Sequence, residues 1–99
     1  MTVRVDPENN ETRALFAMAD LIGRRVLEIG CGTGRLTRRY AGRAAHVTAI
    51  DRWAEGIARA KASLPGDLHS RVEFRHTSLT DLISSQPPSY DMVILAYSL

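Results

Sequence analysis

The segment "VLEIGCGTG", Val26 to Gly34, constrains this chain more than any other stretch. A hydrophobic run carrying one carboxylate, Glu28, passes directly into glycines at alternate positions: Gly30, Gly32 and Gly34. Missing side chains let the backbone turn sharply and bring its N–H and C=O groups to a ligand at contact distance. Three spaced glycines weaken a turn that serves neither a ligand nor a packing need. The run from Arg25 to Ile29 predicts a short apolar strand. Gly34 then opens a helix with Leu36 and Tyr40 on one side, Arg35, Arg38 and Arg39 on the other, and Gly42 at its end.

The same alternation continues along the chain. "HVTAID" predicts a second strand closing on Asp51, and "RWAEGIARAKASLPG" a helix with Trp53, Ile57, Ala60 and Leu64 on one face, stopped by Pro65-Gly66. "RVEFRH" alternates Val72 and Phe74 with charges, as a strand buried on one face does. "SLTDLIS" makes a short helix at best, Pro87-Pro88 a loop, and Met92 to Ala96 a continuous apolar strand. Ahead of all this, "ENNETRALFAMADLIG" has helical spacing, with Gly23 as its stop. Strands separated by helices imply βαβ units, a parallel sheet and right-handed crossovers. Because continuously apolar strands belong inside such a sheet and charged ones at its edge, the expected fold is α/β. It is a Rossmann-like three-layer α/β/α arrangement with strands in the order 3-2-1-4.

Ninety-nine residues at 44% hydrophobic suit one small domain, burying roughly 60 to 70% of the surface its unfolded chain exposes. The net charge is only +2, with basic residues spread along the chain among acids. That pattern argues against a nucleic-acid partner, which needs a concentrated cationic stripe. Cys31 is the only cysteine, so no internal disulfide forms and nothing marks an oxidising compartment. No apolar run reaches the ~18 residues of a membrane span, and "MTVRVDPENNE" lacks the apolar core of a signal peptide. The expected compartment is the cytoplasm, with no membrane partner.

In a sheet of this order the ligand lies beyond the carboxyl ends of the strands, where the order reverses. The glycines sit there. A P-loop is excluded, since Arg35-Leu36 stand where Lys-Ser/Thr would follow; separately, the dinucleotide-binding fingerprint G-x-G-x-x-G fails, because its third glycine falls on Arg35. Glu28 discriminates further: its carboxylate repels a pyrophosphate by ~1 kcal/mol at ~4 Å in water, several-fold more when partly buried. An ammonium or sulfonium ligand is attracted instead. Asp51, 21 residues after Gly30, is spaced to hold a ribose, or else caps the next helix.

"VLEIGCGTGRL" resembles the first motif of class I S-adenosylmethionine-dependent methyltransferases, and the resemblance runs through the strand order above. It implies S-adenosylmethionine as cofactor, with backbone contacts from Gly30, Cys31, Gly32 and Gly34 and with Glu28 directed towards the cofactor's amino group. Asp51 would hold the ribose hydroxyls, and Arg52, followed by Trp53, would flank the adenine. Where relatives carry an acid and a small residue after the third strand, this sequence has Ser78 and Leu79. A neutral acceptor contributes ~0.5 to 1.5 kcal/mol against ~1.5 to 3 for a charged one. Arg13 would reach the cofactor carboxylate where the N-terminal helix covers the cofactor, as the resemblance to some relatives implies, or else lies on a solvated helix face. No catalytic residue is named, no metal is expected from His46, His69 and His76, and Cys31 reads as a small filler rather than a nucleophile.

The resemblance covers the cofactor half only, so the domain, residues 1–99, is expected to lack the C-terminal strands of the full methyltransferase fold and to transfer no methyl groups alone. The fourth strand would then lie at an open edge and invite self-association. Two other classes stay open: a nicotinamide-binding oxidoreductase fragment, disfavoured by Glu28 and Arg35, and a non-catalytic interaction module of the same fold.

Overall fold

The computed structural model describes residues 2–5, 21–85 and 89–96. Five parallel strands form one sheet: β1 (Thr2–Val5), β2 (Arg25–Ile29), β3 (His46–Asp51), β4 (Val72–His76) and β5 (Met92–Leu95). Their order is β1-β5-β2-β3-β4. Among the described residues the helices are α1 (Arg35–Tyr40), α2 (Ala54–Ser63) and α3 (Leu79–Ser85), with a 3-10 turn at Gly66–Leu68. Omitting β1, this is the predicted 3-2-1-4 arrangement.

Strand chemistry explains the order. β2, at the centre, buries Val26, Leu27 and Glu28, and β3 buries Val47 to Ile50, as strands covered on both faces do. At the β4 edge, Val72 and Phe74 turn inward while Glu73 stays exposed. The register places Leu27 between Thr48 of β3 and Val93 of β5. At the amino ends of the strands Arg25 clasps Asp91: the Arg25 backbone N–H donates to Oδ2 at 2.9 Å, and Nη2 reaches Oδ1 at 3.3 Å. That guanidinium holds the Asp91 carboxyl below its ordinary range.

The open edge expected beside the fourth strand is filled. β1 pairs with β5 in parallel, from Thr2 opposite Met92 to Val5 opposite Leu95. The "TVRV" segment is rich in β-branched residues, which favour a pleated strand; its local signal is short, and only the neighbouring β5 makes it a strand.

The two faces of the sheet are unequal. On one, Val26, Val47, Ala49, Val72, Phe74, Met92 and Ile94 pack with Leu36 and Tyr40 of α1 and Ile57 and Ala60 of α2. On the other, Leu27 and Ile50 meet Leu82 of α3, with Ile29, Tyr90 and Val93 partly buried around them. There α3 leaves Leu79 and Ile83 exposed. The fourth strand is correspondingly buried at Met92 and Ile94 and only half-buried at Val93 and Leu95. Trp53 departs from expectation: it is not on the core face of its helix but at the N-cap, 46% exposed. Its ring lies across Gly56, where no Cβ would fit, with the Arg59 guanidinium 5.8 Å from the ring centre. The predicted helix over residues 8–23, apart from its last three positions, lies outside the described residues, as do Arg13 and Pro87-Pro88. Gly23 has φ 71°, the left-handed geometry suited to ending a helix. Among the described residues no helix is long and apolar enough to cross a membrane.

Candidate functional site

The loop from Gly30 to Gly34 leaves β2 at the carboxyl end of the sheet and enters α1. Its first turn is tied to β3: the N–H groups of Gly30 and Cys31 both donate to the Ile50 carbonyl, at 2.9 and 3.1 Å. Gly30, Gly32 and Gly34 all take positive φ, 82°, 57° and 80°. Two of them do so for different reasons. A Cβ at Gly34 would lie 2.9 Å from Phe74 Cζ and 3.2 Å from Ala60 Cβ, so this glycine lets α1 approach β4 and α2. A Cβ at Gly32 would meet nothing within 4 Å. The backbone at Gly32 is thus open to a ligand, while Gly34 serves packing.

Asp51 closes the loop from the β3 side. Its Oδ2 accepts the Gly32 N–H at 2.8 Å and its Oδ1 the Trp53 N–H at 2.8 Å. The helix-cap alternative therefore takes a different form, since Trp53 occupies the N-cap of α2 without a side-chain bond. Asp51 instead joins the glycine loop to the start of α2. A carboxylate offers about four lone-pair sites, so two hydroxyls can still be accepted. Arg52 is exposed beside it, and its carbonyl lies 3.0 Å from His76 Nε2 of β4.

Glu28 is completely buried on the α1 face of the sheet. Its Oε1 accepts two hydroxyl hydrogen bonds from α1, from Thr37 at 2.7 Å and Tyr40 at 2.6 Å. A buried carboxylate needs such partners, because desolvation without them costs several kcal/mol, on the order of the whole stability of a small domain. Burial, then the Glu28 charge, pushes the Tyr40 phenol well above its ordinary value, so the hydroxyl remains a proton donor. Cys31 is buried, and desolvation, followed by the charges of Glu28 and Asp51, raises its thiol far above the ordinary range. At neutral pH it is a thiol, not a nucleophile.

Ser78 and Leu79 stand at the start of α3. The Ser78 hydroxyl accepts the Asp81 N–H at 3.1 Å, which makes it a helix N-cap, and Leu79 is 38% exposed. Thr37, Tyr40 and Arg38, whose guanidinium donates to the Thr33 carbonyl at 2.7 Å, were missed as site residues. The signal was present: Thr37 and Tyr40 are three apart, so two hydroxyls share the helix face that meets the strand bearing Glu28.

Residues 26–99 match the family model of the methyltransferase domain. The chain is 42% identical over 95 residues to a ubiquinone biosynthesis O-methyltransferase from Aeromonas salmonicida, covering 92% of this chain and 35% of that protein. A protein of the same name from Xylella fastidiosa is 38% identical over 78 residues, covering 74% of this chain and 29% of that one. This chain therefore spans about a third of the length of these curated relatives. Among solved structures, an S-adenosylmethionine-dependent methyltransferase from Mesorhizobium loti superposes with a TM-score of 0.71 at 27% identity, covering 93% of this chain and 42% of that one. A precorrin 8w decarboxylase from Methanobacterium thermoautotrophicum gives 0.72 at 28% identity, covering 91% and 50%. The glycine loop, the strand order and these matches agree: the chain belongs to the methyltransferase domain family, within the class I S-adenosylmethionine-dependent methyltransferases.

Proposed function

We propose that residues 1–99 form a single S-adenosylmethionine-binding domain, the cofactor-binding portion of a cytoplasmic methyltransferase. One observation carries this reading: the open backbone at Gly32 is held by the Asp51 carboxylate, and a second, buried carboxylate, Glu28, stands two residues before the loop. Such a site opposes a pyrophosphate, which would meet two like charges, and suits a nucleoside whose arm is cationic. A nicotinamide dinucleotide is disfavoured on the same ground. When bound, the cofactor supplies a sulfonium methyl for in-line displacement by an acceptor nucleophile.

This chain's residues bind and orient. Asp51 accepts the ribose hydroxyls with the lone pairs that Gly32 and Trp53 leave, the loop from Gly30 to Gly34 lies along the methionyl arm, and Glu28 supplies negative charge for its ammonium. Arg52, Ser78 and Leu79 border the adenine, with the Ser78 hydroxyl as the acceptor for its exocyclic amine. Positioning of this kind contributes to catalysis by fixing the reacting geometry. The O-methyltransferase relatives support an oxygen acceptor.

The test is thermal denaturation with S-adenosylhomocysteine and, separately, NAD. S-adenosylhomocysteine at 100 times its dissociation constant is expected to add ~2.7 kcal/mol of stability, and NAD none. Equal shifts with both ligands, or a shift with NAD alone, would overturn the assignment.

A further inference from the structure

Glu28 is an expensive residue for its position. Its neighbours Val26, Leu27 and Ile29 are apolar, it is fully buried, and a buried charge replaced by a well-packed apolar side chain is often neutral or stabilising. The fold of β2 therefore does not need a carboxylate here. What the structure adds is a dedicated holder: the Thr37 and Tyr40 hydroxyls converge on the same oxygen, Oε1, at 2.7 and 2.6 Å. Both come from α1, the helix that the glycine loop feeds into. The carboxylate is thereby fixed in rotation as well as hydrogen-bonded, two residues before Gly30 in the chain.

We infer that Tyr40 and Thr37 are positioning residues for ligand selection: by orienting Glu28 they favour a nucleoside carrying an ammonium group over the same nucleoside without one. This rests on the cofactor reading above and deepens it. A hydroxyl pair that merely satisfied a buried acid would influence folding and leave ligand preference untouched. A pair that fixes the acid in one orientation sets how strongly an ammonium at the loop is drawn to it, because a carboxylate released by one donor turns about its Cγ–Cδ bond and loses the fixed geometry that makes a preorganised charge effective.

Calorimetry on the full 99-residue chain separates these roles, using S-adenosylhomocysteine and 5′-methylthioadenosine, which share the adenosine and the sulfur but differ in the amino-acid arm. The unaltered chain is expected to prefer S-adenosylhomocysteine. Tyr40→Phe and Thr37→Val are each expected to reduce that preference by about tenfold, a usual size for one charge-assisted hydrogen bond, with 5′-methylthioadenosine binding changed less than about twofold. Thermal melts without ligand show that each variant is folded, and Thr37→Val, the smaller change, decides the matter if Tyr40→Phe does not fold. Equal weakening of both ligands, an unchanged or larger preference in the variants, or no preference in the unaltered chain would overturn the inference. Failure of the unaltered chain to bind either nucleoside would instead overturn the cofactor assignment.

Discussion

Asp51 shows how one side chain can carry two obligations. Its carboxylate already accepts the Gly32 and Trp53 N–H groups, and the proposed ribose hydroxyls would take the sites that remain. Truncation should therefore act on both ligand and fold. Asp51→Ala is expected to weaken S-adenosylhomocysteine binding by at least tenfold, from the loss of charge-assisted bonds worth ~1.5 to 3 kcal/mol each. It should also lower the stability of the unliganded chain by ~1 to 3 kcal/mol, because the part-buried Gly32 N–H loses its acceptor. Titration calorimetry and urea unfolding measure the two effects separately. Lowered stability with unaltered affinity would leave Asp51 a clamp on the loop and nothing more.

The strand-loop-helix element from β2 to α1 divides its glycines between packing and access, and substitution should expose the division. Gly34→Ala places a Cβ against Phe74 and Ala60 at φ 80°. The left-handed conformation costs ~1 to 2 kcal/mol and overpacking ~1 to 3 more. Gly32→Ala meets open space at φ 57°, so only the conformational cost of ~1 to 2 kcal/mol applies. Urea unfolding of the two variants without ligand is expected to rank Gly34→Ala as the more damaging. Similar losses would mean that the approach of α1 to β4 does not depend on a bare Cα at residue 34.

At the scale of the whole molecule, β1 decides what kind of edge the sheet presents. Without it, the backbone of Met92 to Leu95 would lie unpaired on one side, and an apolar edge strand is a template for association. The chain lacking residues 1–5 is accordingly expected to associate more strongly than the full chain, read as an increase in sedimentation coefficient with concentration. Identical sedimentation of the two chains would show that β1 does not protect β5. Association of the full chain through β5 would first require β1 to leave.

Local pattern determined much of this protein. Apolar runs alternating with helical periodicity were enough for a parallel α/β sheet, and the contrast between the mainly apolar β2 and β5 and the alternating, charge-bearing β4 pointed to their order, because burial on two faces or one is written into composition. The glycine spacing likewise located the loop at the carboxyl end of the sheet. Tertiary structure alone decided the rest. That "TVRV" adds a strand to the sheet depends on β5 lying beside it, and that Trp53 sits outside the core depends on where α2 begins. Gly34 proved to serve packing and Gly32 access, although the two look alike in sequence. Thr37 and Tyr40 became partners of Glu28 only when α1 folded back over β2: hydrogen bonds between residues 9 and 12 positions apart are set by the angle and depth of that packing, which no periodicity records.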